Sequence, residues 1–490
     1  MNPFLLDFDA LLTPGAWIAL WPMVTLAVGL MMLLLAEVVP ALRRFRSVFF
    51  LASLGIAALF ELRILDNPDA LTATGGLVLD GSLIANATSA VWGLIFLTGT
   101  ALAFCYSTNY YTGSEARYKD EHDILMLTAP LGMMLMAGAG DLVVFFLGLE
   151  LLSIPLYILA AYKRSQAASV EAGLKYFLLG AFASALFVYG SALLYAETGA
   201  LSLGGLADHF ATHETGTLAM TGIGLITASL LFKISVFPFH VWVPDVYQGS
   251  PTPVTALMAT GTKAAAIAFM LNALFLLPGS TAPLIATLGI ITMAIGYLGA
   301  LVQEDLKRML AYSGIASAGT VILVIAGALA SPDSLASAQT AALYYIGAYV
   351  FTITGAFGLI ALFEKDGAQF TRLSSLSGLA KSRPGMAAAM TLFVLSLGGI
   401  PATGGFLGKW FVFSVLVEAN MITFAVIGAV LSVIALAFYL KIVITMWMLE
   451  ADESQPIPGS DRPLIATVAT AICVIGVLAT GILPSLFLPS

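Results

Sequence analysis

Long apolar runs alternate with short polar or Pro/Gly-rich breaks from one end of the chain to the other. Most runs are close to the roughly 20 residues that a spanning helix needs. Read at those breaks, the spans fall at 16–39, 47–65, 84–107, 123–139, 141–162, 173–197, 218–248, 253–277, 282–302, 308–330, 338–364, 384–418, 421–449 and 463–487. Fourteen spans put both termini on one side. The first run, Trp17 to Val39, is long enough to span and has no basic flank before it, so it reads as a retained helix and not as a cleaved leader. Composition agrees: 60% of residues are hydrophobic and 10% charged, against about 25% charged in a soluble domain. The expected class is an all-α polytopic membrane protein.

Charge sets the orientation, because short cytoplasmic loops carry the excess of lysine and arginine. With the termini outside, the inward loops hold Arg43, Arg44, Arg46, Arg117, Lys119, Lys163, Arg164, Lys307, Arg308, Lys365, Arg372, Lys381, Arg383 and Arg462, while the outward side has only Arg63, at a helix edge. The long outward loop from Glu197 to Thr217 is acidic and contains His209 and His213, which read as solvated. The formal net charge of −8 carries no basic patch or stripe, which excludes nucleic acid as an expected partner. Cys105 and Cys473 lie in apolar runs without a CxxC or Cys/His cluster, so they read as small buried residues and not as metal ligands. No glycine-rich phosphate loop follows a strand pattern, and a redox cofactor would have to belong to a partner.

Five lysines remain inside predicted spans: Lys175, Lys233, Lys263, Lys409 and Lys441. A charge near the bilayer centre costs at least about 2.5–3.5 kcal/mol, so it persists where it faces protein or water and usually serves transport. Burial disfavours the charged form of an amine, and a nearby carboxylate favours it, so a buried lysine beside a movable carboxylate can bind and release a proton. Glu150, nine residues inside its span from Asp141, is the candidate carboxylate. The alternative is a static ion pair joining two helices. Lys263 is central in the eighth span among small residues that permit close packing. Lys175 and Lys441 lie near inner helix ends, where a long side chain can instead reach the headgroups.

Two spans are interrupted. Lys233 precedes Pro238 by five residues, with Pro244 six further on, and Lys409 follows Pro401 by eight, after Gly398 and Gly399. Breaks free backbone groups that must find protein, water or an ion, and an ionisable residue beside such a break is a recurring transporter device. His240, beside the first break, either relays protons or caps loosened backbone. The broken spans are the seventh and twelfth, five apart, which implies two five-helix units of opposite topology, spans 4–8 and 9–13. The chain then divides at 1–115, 116–280, 281–450 and 451–490: three leading helices, two antiporter-like units and a final helix.

The segment Phe232 to Ala264, FKISVFPFHVWVPDVYQGSPTPVTALMATGTKA, resembles the signature of subunit N of respiratory complex I, and DVYQGSP separates it from subunits L and M and from sodium/proton antiporter chains. Similar matches are GLELLSIPLY (148–157), EAGLKYFLLGAFASALFVYG (171–190), DLKRMLAYSGIASAG (305–319) and LSLGGIPATGGFLGKW (395–410). The resemblance implies a proton-translocating subunit of an NADH-quinone oxidoreductase in a bacterial inner membrane, where the outward termini expected from the loop charges are periplasmic. It implies Glu150 and Lys233 as a charge pair, Lys263 as central relay, Lys409 at the outlet and Lys175 as a further family lysine. Many family members have histidine where this chain has Ser317, which water could replace. FMN, iron–sulfur clusters and quinone would be bound by other subunits, and the partners would include subunits M, K, J and A. Rival readings are a subunit of a multisubunit sodium/proton antiporter or membrane-bound hydrogenase, and a purely structural membrane subunit.

The charge asymmetry makes a direct prediction. Cysteines introduced at Arg44 and at His213 should label from opposite faces of the membrane with an impermeant thiol reagent, Arg44→Cys from the cytoplasmic face; labelling of Arg44→Cys from outside would invert the topology.

Overall fold

The computed structural model describes residues 14–66, 76–108, 110–111, 119–364, 371–450 and 463–487. Arg117, Lys365 and Arg462 of the loop-charge reading, and the two chain ends, lie outside the described residues. Within them the spanning helices are α1 (Pro14–Val38), α2 (Arg46–Asp66), α3 (Ala87–Ser107), α4 (Lys119–Ala137), α5 (Leu142–Ala160), α6 (Ala167–Thr198), α7 (Thr217–Ile234), α8 (Thr252–Asn272), α9 (Ala282–Leu301), α10 (Leu306–Ala330), α11 (Leu335–Phe363), α12 (Pro384–Gly398), α13 (Gly404–Glu418), α14 (Ile422–Met448) and α15 (Leu464–Ile482). Twelve helices are individually long and apolar enough to cross. α4 has a charged first turn from Lys119 to Asp123, and α12 with α13 forms one interrupted span. Together they give the fourteen spans expected. The seventh span is shorter as a continuous helix than its apolar run, because α7 stops at Ile234 and the chain resumes as the short helix Val243–Gly249.

The two five-helix units, α4–α8 and α9–α14, share a construction that letter-by-letter comparison does not reveal. In each, the second helix begins with an Asp-Leu pair whose aspartate caps it. Asp141 accepts from Val143 N at 2.6 Å and Val144 N at 2.9 Å, and Asp305 accepts from Arg308 N at 2.9 Å. In each, that aspartate also forms an isolated antiparallel bridge to the connection after the third helix: Asp141 to Ser202, Asp305 to Arg372. Capping satisfies orphan amides at the helix start, and the bridge ties the second helix to the segment that leads into the broken span. By the charge-derived orientation Asp141 lies outside and Asp305 inside, as inverted units require.

The first two helices of each unit also meet through glycine. A side chain at Gly132 would come 2.7 Å from Gly148 O, and one at Gly148 would come 2.9 Å from Gly132 O, so α4 and α5 approach backbone to backbone. Gly289 and Gly319 play the same part between α9 and α10. Small residues permit this closeness in membranes, where packing, not water exclusion, holds helices together. α8 is buried along its whole spanning window, α10 along 94% and α11 along 83%, so the seam between the two units is the core of the molecule.

A methyl group at Gly148 meets fixed backbone. Gly148→Ala should therefore lower the yield and thermal stability of the assembled protein, by about 1–3 kcal/mol. Gly224→Ala, where nothing lies within 4 Å, should leave both unchanged; equal effects would show that the α4–α5 contact is not the cause.

Candidate functional site

Lys233 occupies the last turn of α7, where the helix ends at Ser235 in the left-handed conformation, φ 75°. It is 2% exposed. Its Nζ donates to Ser153 Oγ at 2.8 Å and to Tyr157 OH at 3.2 Å, both on α5. Glu150, Ser153 and Tyr157 are spaced i, i+3 and i+7, which puts them on one face of that helix. Glu150 itself is half-buried and accepts from Ser184 Oγ of α6 at 2.5 Å. It forms no ion pair with Lys233 within 4.0 Å. The expected charge pair does not form an ion pair: the amine of α7 bonds Ser153 and Tyr157 on the α5 face that also bears Glu150, while the carboxylate is bonded by Ser184.

Lys263 lies midway along α8 and is 1% exposed. Its Nζ donates to Gly314 O of α10 at 2.5 Å and lies 5.7 Å from the Tyr349 ring centre on α11. A Cβ at Gly314 would sit 3.1 Å from that amine, so glycine there gives the lysine access to the carbonyl. The contact joins the first unit to the second. Lys409, 7% exposed on α13, donates to Leu397 O at 2.9 Å and Gly398 O at 3.2 Å. Those carbonyls are left over at the C-terminal end of α12, which also bears the negative end of the helix dipole. Between Lys263 and Lys409 lies a void of about 10 Å3 lined by Ser317, Tyr345, Tyr349, Ser396 and Lys409. That is about the room that one water needs, and the buried Tyr349 hydroxyl beside it has no protein partner.

Among the described residues, then, none of Lys233, Lys263 and Lys409 has a carboxylate within ion-pair distance; each is held by neutral oxygens. Lys175 differs. It reaches Glu171 Oε1 and Asp245 Oδ2, both at 2.7 Å, and Asp245 Oδ1 accepts from Arg308 Nη1 at 2.7 Å. Sequence reading assigned Arg308 to a loop and passed over Asp245, although DVYQGSP begins with it. The buried pair Lys307–Glu364, 3.6 Å apart, was also missed. Lys307 Nζ donates to Ser250 O at 2.7 Å, and Glu364 accepts from Thr252 Oγ1 at 2.8 Å and from Tyr110 OH. Both lysine and carboxylate lie at helix ends, where sequence alone cannot separate a buried charge from a solvated one. The His240 ring makes no hydrogen bond among the described residues, and its Nδ1 is buried without a partner, so it does not cap the break. Lys441 is exposed on α14, and Cys473 is buried.

A polytopic bundle of inverted units, with broken helices and a row of buried lysines, defines an antiporter-like membrane subunit. The family model described as NADH:quinone oxidoreductase/Mrp antiporter, TM, matches residues 139–435. The chain is similar to NADH-quinone oxidoreductase subunit N 1 of Chloroherpeton thalassium, 41% identical over 404 residues that cover 80% of this chain and 82% of that one. It is similar to a chain of respiratory complex I from Thermus thermophilus, with 33% identity, a TM-score of 0.80, and coverage of 96% and 99%. The Mrp complex of Dietzia sp. shares the fold, with a TM-score of 0.83, 22% identity, and coverage of 98% and 96%. The chain belongs to the NADH-quinone oxidoreductase subunit N family.

Ser153→Ala and Tyr157→Phe each remove one of the two acceptors of a buried ammonium, a loss of about 1–3 kcal/mol. Each should lower redox-coupled proton uptake by membrane vesicles while the assembled yield stays near normal. The double variant should lose less than the two losses added, because both act on one amine.

Proposed function

We propose that this chain is a proton-translocating membrane subunit of an NADH-quinone oxidoreductase, coupling electron transfer from NADH to quinone in other subunits to proton movement across the membrane. One observation carries the reading: three lysines are buried across the bundle with neutral oxygens alone as partners. A scaffold would gain from apolar replacements at such positions. An amine held without a counter-charge is sensitive to any carboxylate or water that approaches.

In this reading Lys263 is the central relay, Lys409 the outlet-side group, and Glu150 with Lys233 the switching pair. Ser153 and Tyr157 transmit changes at the carboxylate to the amine. Lys175, set among Glu171, Asp245 and Arg308, holds the short helix after the break, and His240 stands beside the break as a further proton carrier. The void beside Ser317 gives water the place that histidine has in many relatives. The functional division at 1–115, 116–280, 281–450 and 451–490 follows the two units and their flanking helices. FMN, iron–sulfur clusters and quinone belong to other subunits, and the neighbours are membrane subunits such as M, K, J and A. The membrane is the bacterial inner membrane, with both termini periplasmic, as the loop charges require.

Replacement of Lys263 tests this. Lys263→Ala should leave assembly intact and reduce NADH-driven proton pumping roughly tenfold or more, a barrier increase of at least about 1.4 kcal/mol. Lys263→Arg should also fail, because a guanidinium keeps its proton. An arginine variant that pumps at the normal rate overturns the relay role. Pumping that follows sodium and not NADH oxidation would support the sodium/proton antiporter reading instead.

A further inference from the structure

Beneath the central lysine stands a buried ion pair. Lys307, at the start of α10, and Glu364, just past the end of α11, lie 3.6 Å apart, with side chains 2% and 5% exposed. In the orientation set by the loop charges, α8 and α10 begin and α3 and α11 end on the cytoplasmic side. The pair therefore closes the inner end of the seam between the two units.

Its contacts reach in both directions. Towards the cytoplasm, Glu364 accepts from Tyr110 OH, and Tyr110 is only half-buried, with Lys163 Nζ 4.3 Å from its ring centre. Towards the bilayer centre, Lys307 Nζ donates at 2.7 Å to Ser250 O, three residues beyond Tyr247 of the short helix Val243–Gly249. Seven residues of α10, about 10.5 Å, separate Lys307 from Gly314, whose carbonyl holds Lys263. Tyr247 is fully buried and reaches that glycine: a Cβ at Gly314 would lie 3.9 Å from the Tyr247 ring, 3.4 Å from Tyr349 OH and 3.1 Å from Lys263 Nζ. The hydroxyls of Tyr247 and Tyr349 have no hydrogen-bond partner among the described residues. A buried hydroxyl left unbonded costs about 1–3 kcal/mol, so two of them beside one amine fit proton or water exchange better than packing.

Charge gives the arrangement a direction. The intact pair is neutral. If Lys307 gives up its proton, Glu364 is left as an uncompensated buried anion, which draws a proton strongly. The supply on that side is the cytoplasm, past Tyr110.

We propose that Lys307 and Glu364 form the cytoplasmic proton-uptake site for Lys263, with the Tyr247 hydroxyl as the link between them. The inference rests on the relay role of Lys263. The Lys307 ammonium gives a proton to the Tyr247 oxygen, which passes its own proton to the neutral Lys263 amine, since a hydroxyl accepts and donates at once. Glu364 takes a proton from cytoplasmic water and hands it to the neutral Lys307. One proton has entered, and the ion pair is restored.

The test uses the intact assembly in membrane vesicles, with assembled yield and NADH-driven proton pumping as readouts. Lys307→Met/Glu364→Gln removes both charges together and leaves no buried charge unpaired, so a merely structural pair predicts normal assembly and normal pumping. Tyr247→Phe removes a hydroxyl that bonds nothing in the protein, and should also assemble normally. Both variants should pump at least about tenfold more slowly, the loss that removal of a proton carrier entails. Glu364→Asp, which keeps a carboxyl group, should retain most of the rate. Normal pumping by the double variant or by Tyr247→Phe, with Lys263→Ala defective, overturns the uptake site and leaves the relay role standing. Normal pumping by Lys263→Ala overturns both. If the double variant does not assemble, Tyr247→Phe decides.

Discussion

An ammonium group far from water is the constraint on which the rest of this structure depends. Such a group costs several kcal/mol in an apolar bundle unless oxygens meet it, and the chain meets it three times without spending a carboxylate. Each solution draws on a different feature of the helices. Lys233 takes hydroxyls from a neighbouring helix face. Lys263 takes a mid-helix carbonyl at Gly314, where an added Cβ would crowd the amine at 3.1 Å. Lys409 takes carbonyls released by a helix break. The glycines, the broken spans and the small-residue seam are therefore conditions for holding charge, as much as they are features of packing.

The same requirement explains why the molecule is built from inverted halves with a buried seam. A lysine at mid-bilayer needs neighbours on every side, and a helix in the middle of two units has them. α8 is buried throughout its spanning window, and its lysine bonds to the other unit. The paired aspartate caps at Asp141 and Asp305, with their bridges to Ser202 and Arg372, anchor the start of the corresponding helix, on opposite sides of the membrane in the charge-derived orientation. Each leaves the broken helix of its unit tied at one connection. The breaks themselves carry turn hydrogen bonds in place of the helical ladder, such as Phe239 N to Val236 O and Gly399 N to Ser396 O.

Much of this was legible in the sequence because membrane helices announce themselves by length and apolarity, and a lysine within such a run has few innocent explanations. All fourteen spans and both breaks were readable, and the buried state of Lys233, Lys263 and Lys409 followed from position alone. What was not legible depends on rotation about helix axes and on contacts between distant segments. Glu150 and Lys233 were expected to meet, yet the carboxylate turns to Ser184 on α6. Lys307 was counted among the inward loop charges, yet it forms a buried pair with Glu364, which also accepts from Tyr110 and Thr252. The repeat itself was inferred from the spacing of breaks; its clearest signature, an Asp-Leu pair opening the second helix of each unit, is two letters long and gains meaning only from the bridges it makes.

The two broken spans differ in a way that bears on how charge would move. Lys233 lies before its break and is held by side chains of α5, whose hydroxyls can rotate and whose helix face also carries Glu150. Lys409 lies after its break and is held by backbone carbonyls of α12, which cannot turn away without moving the helix end. Under the proposed switching role, a change at Glu150 reaches Lys233 through reorienting hydroxyls at little cost, whereas releasing Lys409 requires motion of a half-helix or an arriving water. In the proposed reading this makes the first unit the responsive end of the lysine row and the second unit its resistant end. Such an asymmetry would give a row of otherwise similar amines a direction.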